Sequence, residues 1–68
     1  MNRYCVAVIW FDDNCLKQEI VWANSEESAA NLSSFMLEYY FPESNTTLEE
    51  AKRNAFDFDT VFSVIQVD

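Results

Sequence analysis

Apolar and polar positions divide the chain into patterned stretches joined by turn-forming residues. Residues 4–11 are β-branched and aromatic almost throughout, and residues 16–23 hold Leu16, three polar residues and then the apolar run Ile20-Val21-Trp22-Ala23. Between them lies Asp12-Asp13-Asn14-Cys15, and Asp and Asn tolerate tight turns where glycine is absent. The pattern predicts a β-hairpin. With the turn centred on Asp13-Asn14, Cys5 faces Trp22 and Phe11 faces Leu16. One side of the hairpin then carries Cys5, Ala7, Ile9 and Phe11 beside Trp22, Ile20, Gln18 and Leu16. The other carries Tyr4, Val6, Val8 and Trp10 beside Ala23, Val21, Glu19 and Lys17. The first side is almost wholly apolar and is expected to face the core. The second is expected to face outward, and it is more apolar than a solvated sheet face usually is.

Asn24 followed three residues later by Glu27 reads as a capping box. Leu32, Phe35, Met36, Tyr39 and Tyr40 then keep the spacing of one helical face. A helix is expected from residue 25 to about residue 40, ending ahead of Pro42, which disfavours helix in the residue before it. A second capping signature, Thr47-Leu48-Glu49-Glu50, opens a shorter helix to about Asn54 or Ala55. Residues 60–67 form a third strand with apolar residues on both sides. The expected fold is α+β, in the order β-β-α-α-β: a three-stranded, mainly antiparallel sheet in strand order 2-1-3, with the helices on one face. The first strand takes the centre because it is the most hydrophobic on both sides. An antiparallel third strand is preferred over a parallel one. The whole chain, 1–68, is expected to be a single domain.

Composition narrows the chemistry. The chain has no His, so it offers no imidazole base and no His metal ligand. It has no Gly, so it offers no phosphate-cradling loop of the Walker or dinucleotide type. Half the residues are apolar and 16% are aromatic, too many for a disordered acidic tail. With 12 Asp+Glu against 4 Lys+Arg the formal charge is −8, which opposes direct binding of nucleic acid. No membrane-length apolar run and no signal-peptide pattern occurs, so a cytoplasmic location with reduced thiols is expected. The sequons at Asn31 and Asn45 then read as chance.

Cys5 and Cys15 are too far apart along the hairpin to form a disulfide, and two thiols fall short of a structural zinc site. Cys15, two residues after the Asp12-Asp13 pair, lacks the basic neighbours that would activate a thiolate. Asp57 and Asp59, set around Phe58, resemble half of a carboxylate site, but a three-stranded domain leaves little cavity for catalysis or a calcium ion. No cofactor, metal site or catalytic residue is expected, and the chain is read as a non-enzyme. The acidity is uneven: residues 25–50 hold six acids and no base, three quarters of the net charge. Glu26, Glu27, Glu49 and Glu50 sit in expected first turns, where carboxylates favour the helix dipole. Glu38, Glu43, Asp57 and Asp59 have no such structural role and are the candidate partner-binding acids. Tyr4 and Trp10, on the expected outer face, are candidate apolar anchors.

In size, acidity and hairpin-helix plan the chain resembles the small inhibitor proteins that bacteriophages make against host defences. The class it is most similar to is the anti-CRISPR proteins, several of which are acidic DNA mimics. The likeness rests on the 4–23 hairpin, the helix opening Asn24-Ser25-Glu26-Glu27 and the base-free stretch 25–50. It implies a protein partner, in the host cytoplasm, whose Lys/Arg-lined nucleic-acid channel is occupied by spaced carboxylates. A phage antitoxin blocking a host ribonuclease would use the same physics. The reading from another class is a structural interaction module or obligate homodimer that uses the outer sheet face.

Overall fold

The computed structural model describes residues 1–67. Strands β1 (Asn2–Trp10) and β2 (Cys15–Ala23) form the predicted hairpin. Its loop, residues 11–14, is centred on Asp12-Asp13 rather than Asp13-Asn14 and is closed by a hydrogen bond from the Asn14 amide to the Phe11 carbonyl (3.2 Å), with Asn14 left-handed at φ 52°. Asn is among the few residues that take this conformation at low cost. Moving the centre of the turn back by one residue shifts the register by two: Cys5 faces Ile20, and Trp22 faces Arg3. A two-residue shift preserves which residues share a side. Strand β3 (Thr60–Gln66) pairs antiparallel with β1 from the other side, giving the order β2-β1-β3. The α+β fold, the strand order and the antiparallel third strand are as the sequence predicts.

The side that faces the core is the opposite of the expected one. Tyr4, Val6, Val8 and Ala23 are buried, together with Phe62 and Val64 of β3. Trp10 and Val21 are half-buried against them. The partner layer explains the choice. Helices α1 (Glu26–Leu32) and α2 (Leu48–Phe56) turn Ala29, Ala30, Ala51 and Ala55 inward, all fully buried. Small helix residues bring the helix axis close to the sheet, and the volume between them is filled by the larger Val, Tyr and Phe side chains. Lys17 and Glu19, which mark this side as polar in the sequence, lie on the edge strand. Glu19 is half-buried and accepts hydrogen bonds from the Ser34 amide (2.6 Å) and hydroxyl (3.0 Å).

The first helix is also shorter than its apolar spacing suggests. Its N-cap is Ser25 rather than Asn24, with the Ser25 hydroxyl accepting from the Ser28 amide at 3.1 Å. It ends at Leu32, because the buried Ser33 donates its hydroxyl to the Ala30 carbonyl (2.8 Å) and turns extended. Serine competes with the helical ladder in this way. After Met36, left-handed at φ 59°, a single 3₁₀ turn, Leu37–Tyr40, follows. The predicted stripe is therefore broken up. Leu32, Met36 and Tyr39 are exposed, while Leu37, which lies off the stripe, is fully buried. The second helix keeps its predicted capping box, Thr47 with Glu50. The molecule measures 33 × 25 × 16 Å, thick enough for one sheet and one layer of helices.

Candidate protein-binding surfaces

Two surfaces stand out, on opposite sides of the sheet. The first lies on the helical side, where the 3₁₀ turn meets the end of α2. Asn54 donates its side-chain amide to the Tyr40 carbonyl at 3.0 Å, which ties the two segments together. The Tyr40 and Phe58 rings stack at a tilt with centroids 6.2 Å apart. Around them opens a shallow cleft of about 540 Å³ lined by Tyr39, Tyr40, Pro42, Asn54, Asp57 and Phe58. Tyr39 and Phe58 are 76% and 70% exposed, so the rings offer their faces to solvent rather than to the core.

The candidate carboxylates group unevenly about this cleft. Asp57 lines it directly, as the C-cap of α2. Glu38 is the chain neighbour of Tyr39, and Glu43 lies one residue beyond Pro42, in a second recess that also holds Glu27. Asp59 departs from the group. Residues 57–59 form a turn, and Asp59 is left-handed at φ 55°. Its carbonyl accepts from the Phe11 amide at 3.0 Å, which places it beside the hairpin loop with Asp12 and Asp13. All four side chains are exposed, and among the described residues none of the four carboxylates has a hydrogen-bond or ion-pair partner. By contrast Glu49 meets Lys52 at 4.0 Å, and Glu50 is engaged by Thr47.

The apolar anchors are not where the sequence places them. Tyr4 is 4% exposed beneath the helices, and Trp10 packs edge-on against Phe35 with ring centroids 5.8 Å apart. Neither lies on the outer face. That face, the second surface, is built from Arg3, Cys5, Ala7 and Ile9 of β1, flanked by Leu16, Gln18, Ile20 and Trp22 of β2 and by Val61, Ser63 and Ile65 of β3. Leu16 is 68% exposed, Trp22 58% and Ile65 61%. The sequence reading grouped Cys5, Ala7 and Ile9 with Leu16, Gln18, Ile20 and Trp22 correctly but took them for the core. Tyr39 and Phe58 were legible only as a helical stripe and as the spacer between two acids.

Cys5 and Cys15 are free thiols on opposite sides of the hairpin. Among the described residues no group of three His, Cys, Asp or Glu comes together to hold a metal ion. No helix among the described residues is long and apolar enough to cross a membrane. Comparison with protein-family models, curated proteins and solved structures finds no match.

Proposed function

We propose that the protein is a non-enzymatic acidic inhibitor that binds a basic, nucleic-acid-binding surface of a protein partner, in the manner of the anti-CRISPR class it resembles. One observation carries the reading: unpartnered carboxylates stand beside exposed aromatic rings at the 3₁₀ turn and the end of α2. A nucleic-acid channel presents Arg and Lys to phosphates and to base faces. Carboxylates reproduce the phosphate contacts by charge-assisted hydrogen bonds, and Arg also stacks on aromatic rings. Asp57 next to Tyr39 and Phe58 offers both to one guanidinium. Glu38 and Glu43 extend the negative side along the chain before and after Pro42, and Asp59 carries it to the hairpin loop.

The test is a competition between this protein and nucleic acid for the partner. Mutual exclusion supports the proposal. Simultaneous binding of both overturns it. A host ribonuclease blocked by this protein would give the same exclusion, with loss of RNA cleavage as its signature. The exposed apolar sheet face favours a second reading, an interaction module or homodimer. That reading is compatible with the first, because the two surfaces lie on opposite sides of the sheet.

A further inference from the structure

We infer that the outer face of the sheet is the docking site for a second copy of this chain, packed face to face. The inference rests on the second reading given above, for which it names the occupant and the packing, and it stands or falls independently of the proposed inhibition.

Size comes first. Two strands of nine residues and one of seven span roughly 30 Å along the strands and 14 Å across them. The flat footprint is then about 400 Å², and side-chain relief adds to it. A specific interface needs about 500 Å² per partner and commonly uses about 800 Å². The face reaches the lower bound only if nearly all of it is covered. Another sheet of the same dimensions does that.

Charge comes second. A chain of formal charge −8 opposes its own copy, yet among the described residues no Asp or Glu stands on this face. Among the described residues the acids occupy the turns, the helices and the inner side of the β2 edge, so a face-to-face dimer directs all but those of the hairpin loop away from the seam. A basic partner would have no carboxylate to meet here.

Self-complementarity comes third. An isologous contact requires that if residue i meets j, then j meets i. The face is banded across the strands. Ile20, Cys5 and Ile65 form one apolar row, Leu16, Ile9 and Val61 another, with Gln18, Ala7 and Ser63 between them. A two-fold axis across the strands at Ala7 lays each apolar row on the other row of the partner. It brings the middle row onto its own copy, where two Gln18 amides can bond to each other. It also sets the β1 end bearing Arg3 and Trp22 over the partner's acidic hairpin loop. Sheets stacked in this way lie about 10 Å apart.

The experiment is sedimentation of the full chain from micromolar to sub-millimolar concentration, with two variants, Ile20→Lys and Ile65→Lys. Both positions are more than half exposed, so both variants are expected to fold, which circular dichroism checks. The wild-type protein is expected to be a dimer, and each variant to raise the dimer dissociation constant a hundredfold or more, because every substitution acts twice across the two-fold. The Cys5 thiol should become slower to alkylate as the protein is concentrated, while Cys15 on the other side does not. If one variant fails to fold, the other and the Cys5 protection decide. A wild-type monomer throughout the range overturns the inference. So does a dimer that survives both lysines with Cys5 unprotected, which would indicate pairing through an open strand edge. Capture of a different protein on this face by a monomeric chain overturns it as well.

Discussion

At the scale of single residues the decisive contrast is between the two tryptophans. A sheet with apolar residues on both sides leaves a sequence reader to choose the core side, and the polar pair Lys17 and Glu19 points to the wrong choice. The edge strand can hold them on the inner side because Lys17 stays exposed there and Glu19 accepts hydrogen bonds from Ser34. Trp10 therefore supports the core through Phe35, and Trp22 faces solvent with Arg3 over its ring at 5.8 Å. In a monomeric background such as Ile20→Lys, Trp10→Ala is expected to cost about 2–4 kcal/mol, somewhat below the figure for a fully buried aromatic. Trp22→Ala should cost less than about 1 kcal/mol there, as exposed substitutions do. Urea unfolding of the two variants checks this, and equal losses would reverse the assignment of faces. Leu37, invisible to helical spacing, is fully buried in the core, and Leu37→Ala should cost about 2–5 kcal/mol.

At the scale of elements, strands and capping signals were legible and the length of the first helix was not. Thr47 and Glu50 form the reciprocal box their spacing implies, because that motif is local and needs no tertiary partner. Thr47→Ala should lower stability by about 1 kcal/mol. The apolar stripe from Leu32 to Tyr40 fails for a tertiary reason: Glu19 claims Ser34, and Ser33 turns its hydroxyl back on the helix. The chain must then reverse at Met36, a residue poorly suited to positive φ. Its side chain is mostly exposed, so little packing is lost on truncation. Met36→Gly is expected to be neutral or stabilising by up to about 1 kcal/mol, since glycine removes the left-handed penalty. Loss of more than that on thermal or urea unfolding would mean that the Met36 side chain is engaged. The strand order was legible because β1, the strand richest in apolar residues on both sides, is best placed in the centre, where both of its edges are paired.

At the scale of the whole molecule the charge is segregated, and salt and charge removal should separate its two surfaces. The acids of the candidate site were legible as residues without a structural role, but their grouping was not, because it depends on the 3₁₀ turn bringing Tyr39 and Pro42 against the end of α2. Binding to a basic partner draws on attraction between opposite charges, and raising salt from 0.1 M toward 1 M shortens the screening length from about 10 Å to about 3 Å. That binding should weaken steeply. The face-to-face dimer joins two chains of formal charge −8 through an apolar seam, so the same salt relieves repulsion and should tighten it. The fourfold variant Glu38→Gln, Glu43→Gln, Asp57→Asn, Asp59→Asn makes the same separation at fixed salt. It halves the net charge, and each change should move folding stability by no more than about 0.5 kcal/mol, because all four side chains are exposed. Asn at position 59 also keeps a residue type that accepts the left-handed backbone there. Partner binding should lose about 1–3 kcal/mol for each carboxylate that meets an Arg in a desolvated contact. The dimer should strengthen. Sedimentation and partner titration on the same preparation measure the two responses, which are expected to have opposite signs. Responses of the same sign would mean that one surface serves both contacts, and the separation of acidic side from apolar face would then have no functional meaning.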